Sequence, residues 1–180
     1  QIKKNGCKAI SLFSGCGGSS LGYRMAGYEV LYANEFVETA RNCYRLNNKK
    51  TYIDDRDIRT VTGKDILKIC KLKKGELDLL DGSPPCSSFS LAGVREKAWG
   101  QEKTYSNTKQ QTDDLFFEYA RILKDIQPKV FVAENVKGLM IGKAKGYLKL
   151  ILEELQNTGY KVEARLLNSA YLDVAQKRER

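Results

Sequence analysis

Short apolar runs alternate along this chain with longer segments in which apolar residues recur at helical spacing. The runs predict strands near Lys8–Phe13, Glu29–Asn34, Leu77–Leu80, Lys129–Ala133 and Tyr160–Leu167, with a shorter one near Thr51–Ile53. The longer segments predict helices near Ser19–Met25, Val37–Leu46, Gly63–Cys70, Asp113–Ile126 and Gly146–Gln156. This regular alternation predicts an α/β fold, built on a mostly parallel sheet with helices on both faces.

The helix boundaries carry their own signals. Gly27 and Gly159 stand where two helices are expected to stop, and Thr112 or Asp113 is the expected cap of the fourth helix. One stripe in the fourth helix has helical spacing and predicts a core-facing side: Leu115, Tyr119, Ile122, Leu123 and Ile126.

Composition narrows the class of protein only a little. The 180 residues carry a net charge of +9, which suits a polyanionic partner but is common in other proteins too. The five cysteines are scattered and form no Cys-x-x-Cys pair, so neither a zinc site nor a disulfide framework is indicated. This cysteine usage points to a reducing compartment. No run is apolar enough to span a membrane.

A thiol, Cys86, follows Pro84-Pro85 at the point where an apolar run gives way to the polar segment Ser87–Asn107. Reactive groups in α/β folds lie at the carboxyl ends of strands, and long structureless loops are more often functional than accidental. The chain has no histidine, which excludes a histidine-activated cysteine. Taken alone, Cys86 is better explained as a buried structural cysteine. Two other segments reverse that preference.

The first is a glycine turn, Phe13-Ser14-Gly15-Cys16-Gly17-Gly18, between the first predicted strand and a helix. Glycines let the backbone approach a ligand closely, and a helix N-terminus favours negative charge. Glu35 closes the second strand, where a carboxylate can accept both hydroxyls of a ribose. This order predicts an adenosine-binding site, for NAD or S-adenosylmethionine alike. No Gly-x-x-x-x-Gly-Lys loop is present, which argues against ATP hydrolysis.

The second segment ends in another acid, Glu134, directly after the predicted strand Lys129–Ala133. Taken alone, Glu134 is explained as a helix cap or a surface acid. In a doubly wound sheet, however, the carboxyl ends of the central strands face one crevice. We therefore expect Cys86 and Glu134 to be neighbours beside the nucleotide site.

With these residues in place, the chain resembles the DNA (cytosine-5) methyltransferases over nearly its whole length. The glycine turn looks like their first cofactor motif, and Gly82-Ser83-Pro84-Pro85-Cys86 looks like their catalytic Pro-Cys motif. Further matches follow in the family's order: Asp57-Ile58, Leu115-Phe116-Phe117-Glu118, Glu134-Asn135-Val136 and Gln176-Lys177-Arg178-Glu179-Arg180. The resemblance implies a Rossmann-like, S-adenosylmethionine-dependent methyltransferase fold.

The resemblance also implies a reaction. A methyl group passes from S-adenosylmethionine to carbon 5 of cytosine in DNA, leaving S-adenosylhomocysteine, on a base rotated out of the duplex. Cys86 is implied as the nucleophile that adds to carbon 6, Glu134 as the group holding the base edge, and Arg178 and Arg180 as orienting residues. The implied cofactor-binding residues are Phe13, Ser14, Gly15, Cys16, Gly17, Gly18, Glu35, Phe36, Asp57, Ile58, Gly82, Pro84 and Leu115. No metal is implied.

The segment after Cys86 is expected to be a mobile loop that contacts nucleic acid. Arg95, Lys97, Lys103 and Lys109 give it a positive balance suited to phosphates. Trp99 and Tyr105 are candidates for packing against sugars or bases.

The whole chain, residues 1–180, is interpreted as one catalytic and cofactor-binding domain of a restriction-modification type methylase. By resemblance, a further strand belongs between Lys129–Ala133 and Tyr160–Leu167, followed by a target-recognition region. We therefore expect a sheet truncated before its last strand, with target recognition supplied by a carboxyl-terminal region or a second chain. The expected partner is double-stranded DNA and not a membrane, in a bacterial or phage-infected cytoplasm or at the nucleoid.

Three alternatives stay open. A tRNA cytosine-5 methyltransferase would share the cofactor and catalytic motifs. A non-catalytic partner subunit of a split methyltransferase would keep the fold, although intact Cys86 and Glu134 argue against it. A nicotinamide-dependent oxidoreductase is disfavoured because nothing in the glycine turn explains Cys86.

Overall fold

A parallel sheet of five strands organises the protein. The computed structural model describes residues 3–85, 103–105, 108–110, 114–141 and 144–180. The sheet strands are β1 Lys8–Leu12, β2 Glu29–Asn34, β3 Tyr52–Asp54, β4 Leu79–Gly82 and β7 Val130–Ala133. Their spatial order is β3-β2-β1-β4-β7, and every neighbouring pair runs parallel. A separate antiparallel pair is formed by β5 Lys103–Tyr105 and β6 Thr108–Gln110.

Helices cover both faces of the sheet, as the alternating pattern predicts. They are α1 Gly18–Met25, α2 Glu38–Asn47, α3 Gly63–Cys70, α4 Leu115–Ile126 and α5 Ala144–Asn157. Ile10, Leu12 and Leu80 lie in the large core shared with α3, α4 and α5. Ala9 and Leu79, one residue out of phase, form a smaller core on the face covered by α1. The period of two along each strand therefore separates the two cores.

The predicted fold class is confirmed, and most predicted elements form within two residues of their expected bounds. β2 and α3 have the predicted bounds, and the α4 stripe is buried. Gly27 and Gly159 end helices with φ of 92° and 99°. β4 lies two residues further along than predicted. The shift arises because β4 pairs with β1 through Asp81 and Gly82, which an apolar pattern does not count as strand residues.

The predicted strand at Tyr160–Leu167 is wrong. The segment forms no ladder with the sheet, in which β7 is the edge strand. Its contacts with the sheet edge come from side chains: the Tyr160 ring packs edge-on against Phe131 at 5.2 Å, and its hydroxyl donates to the Pro128 carbonyl. Within the described part of the chain, its backbone pairs only at the last residue, Leu167, with Arg180 at 2.8 and 2.9 Å.

A groove of about 610 Å³ separates β7 from this segment. Val130 and Val132 on the β7 side are 53% and 40% exposed, as is typical of a sheet edge without a further strand. The segment lacks strand pairing because this groove, and not a hydrogen-bonded backbone, lies between it and β7. The expected additional strand between them stays a prediction.

The segment expected to be structureless is only partly so. Lys103–Tyr105, within it, forms β5 of the short antiparallel pair, which corrects that expectation. Arg95, Lys97 and Trp99 lie outside the described residues. Among the residues described, no helix is long and apolar enough to cross a membrane.

A buried carboxylate joins α1 to the sheet. Asp81 of β4 is 2% exposed and accepts hydrogen bonds from Ser11 Oγ at 2.9 Å, Ser19 Oγ at 2.8 Å and Tyr23 Oη at 3.0 Å. Burial raises the pKa of Asp81, and the three hydroxyl donors oppose that shift. Because the donors come from β1 and α1, the cluster fixes the helix against the strands that lead into the site.

Gly82 must remain without a side chain because of a close contact with α4. A Cβ atom there would lie 2.4 Å from the ring of Tyr119, which is fully buried and donates to the carbonyls of Leu80 and Val132. Gly82→Ala is therefore expected to lower the free energy of unfolding by about 1–3 kcal/mol, the usual cost of overpacking. Urea denaturation measures it.

Gly22→Ala is the matched control for this substitution. Gly22 lies inside α1, and no atom lies within 4 Å of a Cβ placed there. Removing a helical glycine stabilises by roughly 0.5–1 kcal/mol. An equal response of the two variants would contradict the contact with Tyr119.

Candidate active site

The turn after β1 is held by backbone contacts with β2 and by its left-handed residues. Ser14 N donates to the Asn34 carbonyl at 3.1 Å, and Gly17 N donates back to Ser14 O at 2.9 Å. Gly17 has a φ of 91°, and a Cβ there would lie 2.8 Å from the ring of Tyr44 in α2. Glycine is required at this position both by conformation and by the approach of α2.

Glu35, the acid at the tip of β2, anchors this turn. Its Oε2 accepts from Gly15 N at 2.7 Å, and its Oε1 accepts from Val37 N at 2.8 Å. The residue is 8% exposed. Each carboxylate oxygen has a second lone pair, so both can still accept a donor from a bound ligand. Glu35 thus joins the glycine turn to the loop that enters α2.

A pocket of about 470 Å³ opens at the carboxyl ends of β1, β2 and β4. Seven of the predicted cofactor-binding residues line it: Phe13, Cys16, Glu35, Phe36, Asp57, Ile58 and Leu115. Residues not predicted to bind also line it: Asn34, Val37, Thr39, Ala40, Ser83 and Pro85. The volume is in the range of sites for small ligands, about 300–1,000 Å³.

The other six predicted cofactor residues are not part of this lining. Ser14, Gly17, Gly82 and Pro84 are buried, while Gly18 is exposed at the start of α1. Gly15 donates its N–H to Glu35 at the base of the turn. These residues shape the backbone around the pocket.

Asp57 follows β3 and begins a turn of 3-10 helix at Ile58–Thr60. Its side chain accepts from Arg59 N at 3.0 Å and pairs with the Arg59 guanidinium at 3.1 Å. The Asp57 carboxylate, an expected cofactor-binding group, is therefore held by a neighbour that the sequence did not single out.

The expected catalytic residues Cys86 and Glu134 follow β4 and β7. Glu134 N donates to the Gly82 carbonyl at 2.9 Å, and Asn135 Nδ2 donates to the Pro84 carbonyl at 2.9 Å. These bonds hold the start of the Pro84-Pro85 segment against the end of β7. Cys86 itself lies outside the described residues.

Glu134 and Arg180 meet in space although 46 residues separate them in the sequence. Arg180 Nε lies 3.0 Å from Glu134 Oε1, and the two side chains are 31% and 42% exposed. The backbone pairing of Leu167 with Arg180 delivers the arginine to this position. Arg178 is exposed and finds no side-chain partner within the described part of the chain.

The described cysteines differ in their chemistry. Cys16 is exposed at the pocket, and the adjacent Cys43 thiol together with burial raises the pKa of its thiol. Burial raises the pKa of Cys70 to about 12. A raised pKa disfavours the thiolate, which is the nucleophilic form. In the ranges that the structure describes, no cluster of three or more His, Cys, Asp or Glu side chains could hold a metal.

Sequence reasoning missed several positioning residues. Asn135 stood beside Glu134 in a quoted motif but received no role. Arg41 Nη1 donates to the carbonyls of Glu35 and Phe36 at 3.3 and 3.0 Å and supports the loop after β2. No local pattern identified Arg41, because its partners are backbone carbonyls five and six residues away.

A glycine turn, an acid at the second strand and a pocket at the carboxyl edge are typical of a nucleoside-binding α/β domain. Residues 7–180 match the family described as C-5 cytosine-specific DNA methylase, and the chain belongs to that family. Its cofactor class is S-adenosylmethionine, and its relatives are of the restriction-modification type.

Two curated relatives show the extent of the similarity. The chain is 40% identical to the type II methyltransferase M.FnuDI of Fusobacterium nucleatum over 173 residues, 96% of this chain and 45% of that protein. It is 38% identical to the type II methyltransferase M.NgoPII of Neisseria gonorrhoeae over 179 residues, 98% and 47% of the two chains. The chain therefore spans under half the length of these relatives.

A solved structure shares the fold. It is a prophage-encoded protein from E. coli described as a DNA modification methyltransferase, with a TM-score of 0.75 and 24% identity. The match covers 96% of this chain and 44% of that one. At this level of identity the likeness concerns the fold alone.

Glu35→Gln is expected to lower the free energy of unfolding by about 1–3 kcal/mol, the cost of leaving a buried polar group unpaired. Glutamine offers one acceptor oxygen, so one of the N–H groups of Gly15 and Val37 would face an amide donor instead. Urea denaturation measures the loss, and amide hydrogen exchange at Gly15 reports where it falls.

Glu38→Gln, in the exposed first turn of α2, is the control. It removes the same charge near the same helix N-terminus without a buried contact, so it should cost no more than about 1 kcal/mol. Equal losses in the two variants would show that the backbone bonds of Glu35 contribute little.

Proposed function

We propose that this chain carries the cofactor-binding and catalytic part of an enzyme that methylates carbon 5 of cytosine in DNA. One observation carries the proposal: the Glu35 pocket and the Glu134–Arg180 pair lie at the same edge of the sheet, on either side of the Pro84-Pro85 segment that leads into Cys86. The type II methyltransferases among its relatives support DNA as the substrate.

The pocket suits the nucleoside half of S-adenosylmethionine. Glu35 offers two acceptor oxygens at one end, Asp57 offers another carboxylate, and Phe13, Phe36 and Leu115 supply apolar surface. A ribose has two hydroxyl donors and adenine has an amino donor and two apolar faces. The donor and acceptor chemistry of the lining therefore fits the group.

When bound, S-adenosylmethionine would supply an electrophilic methyl group, which cytosine carbon 5 is too weak a nucleophile to attack unaided. The Cys86 thiolate would add to carbon 6 of the base and make carbon 5 nucleophilic. After transfer, loss of the proton from carbon 5 restores the double bond and expels Cys86. The thiolate is thus regenerated, and the products are the 5-methylated base, S-adenosylhomocysteine and a proton.

Glu134 and Arg180 would hold the target base during this step. The carboxylate would accept from the amino group, and from N3 once that nitrogen is protonated as the thiolate adds. Arg180 would donate to the carbonyl oxygen, while Arg178 would support the catalytic loop. Access to carbon 5 within a duplex requires rotation of the nucleotide out of the stack. We propose that target recognition comes from a region outside residues 1–180 or from a second chain. The proposed cellular location is the bacterial cytoplasm, and the nucleoid when DNA is bound.

Titration calorimetry tests the cofactor assignment. The chain is expected to bind S-adenosylhomocysteine and not NADH, because the chain matches a methylase family and Glu35 and Asp57 provide acceptors for the nucleoside of that ligand. Binding of NADH without binding of S-adenosylhomocysteine would favour the oxidoreductase alternative and overturn the proposal.

The nucleophile is tested with DNA containing 5-fluorocytosine, in a protein that joins this chain to a target-recognition region. Fluorine at carbon 5 blocks the elimination step, so a covalent adduct should accumulate and be visible on a denaturing gel. Cys86→Ser should abolish it. Cys7→Ser should retain it, because that thiol does not line the cofactor pocket.

Two outcomes would count against this assignment. Adduct formation by Cys86→Ser at the level of the unchanged protein would exclude Cys86 as the nucleophile. An adduct with a tRNA substrate and none with DNA would favour the RNA alternative.

A further inference from the structure

Arg59 bridges two carboxylates from separate parts of the chain. Its Nη1 lies 3.2 and 3.1 Å from the two oxygens of Asp57. Its Nε and Nη2 contact the two oxygens of Asp114 at 2.9 and 2.6 Å in a bidentate pair. The three side chains are 29%, 32% and 49% exposed, so the bridge is partly shielded from water.

The bridge joins two walls of the pocket. Asp57 and Ile58 line one wall, and Leu115, the residue after Asp114, lines the other. Asp114 occupies the cap position of α4, where Thr112 or Asp113 was expected, yet its side chain makes no capping bond. Its carboxylate is directed to Arg59 instead, at the expense of the usual helix cap.

The geometry requires arginine. A guanidinium is planar and presents donors on two edges, so it can grip one carboxylate with a bidentate pair and still reach another. The hydrogen bonds that Arg59 donates to Asp114 raise the pKa of Arg59 further. A lysine ammonium is a point charge that would have to choose between the two acids.

A second arginine makes a matched comparison. Arg121 of α4 pairs with Glu118 at 2.6 Å and donates to the carbonyls of Ile58 and Val61 at 2.9 Å. Arg121 therefore joins α4 to the region of the Ile58–Thr60 turn, as Arg59 does. It differs in making no contact with Asp57.

We propose that Arg59 is a positioning residue that fixes the Asp57 carboxylate toward the pocket and so selects a purine with a 6-amino group over one with a 6-oxo group. This inference rests on the proposed function of the pocket. An ionised carboxylate only accepts hydrogen bonds, so it attracts an amino group and repels a carbonyl oxygen. The selection is sharp only if Asp57 cannot turn away, and Arg59 prevents that.

The test compares S-adenosylhomocysteine with S-inosylhomocysteine by titration calorimetry. The two ligands differ in the 6-amino or 6-oxo group and in the hydrogen that the 6-oxo purine carries on N1. The unchanged protein should prefer the adenine ligand by about tenfold or more, because a hydrogen bond to a charged group is worth that much. Arg59→Gln and Arg59→Lys should each reduce the preference to roughly threefold or less, since neither new side chain can hold both carboxylates as arginine does. Arg121→Gln should lower stability and leave the preference unchanged.

Asp57→Asn locates the effect, since an asparagine amide can rotate to donate to a 6-oxo group and should erase the preference. Asp114→Asn, at a half-exposed position, weakens only one half of the bridge and replaces Arg59→Gln if that variant does not fold. If the Arg59 or Asp114 variants bind both ligands with an unchanged preference, the role of Arg59 is overturned. The proposed function of the pocket is not affected by that result. Failure of the unchanged protein to bind either ligand would overturn the proposed function and this inference together.

Discussion

The parallel pairing of strands around β1 is the constraint on which the whole site depends. One row of paired residues crosses the sheet at its carboxyl edge, from β3 to β7: Asp54, Asn34, Leu12, Gly82 and Ala133. The residues that follow this row therefore emerge together, among them Phe13, Glu35, Ser83 and Glu134. Neighbouring strands lie about 4.8 Å apart, which puts roughly 14 Å between the backbones at Glu35 and Glu134. Two ligands can thus lie side by side along one edge.

Polar contacts, rather than a large core, hold the glycine turn to this edge. The face beneath α1 has only a small apolar cluster, of Ala9, Val30 and Leu79. Asp81 supplements it with three hydroxyl donors from β1 and α1. A buried carboxylate left without those donors would be costly, so a helix that slipped along the sheet would lose more than apolar contact. The register of α1, and with it the turn, is specified by this cluster.

Sequence reasoning succeeded where signals were local. Strand ends, helix stripes and the stops at Gly27 and Gly159 follow from patterns within a few residues. It failed where partners are distant: Asp81 in a strand depends on hydroxyls that lie far from it in the chain, and Arg59 meets Asp114 across 55 residues. The apolar pattern at Tyr160–Leu167 has the period of a strand, but a strand forms only when a neighbouring backbone supplies hydrogen bonds. An alternating apolar pattern indicates which side of a segment faces the protein, but it does not indicate which strand would pair with that segment.

The two halves of the site differ in how firmly they are held. On the cofactor side, Glu35 is buried and bound to backbone groups on both oxygens. On the other side, Glu134 and Arg180 form a partly exposed pair at 3.0 Å. Pairs with this exposure contribute only about 0–1 kcal/mol, so incoming donors and acceptors can separate them at little cost. A rigid acid suits a cofactor that binds the same way in each cycle. A weakly paired glutamate and arginine suit a base that must enter the site, replace their ion pair with its own hydrogen bonds to each of them, and leave.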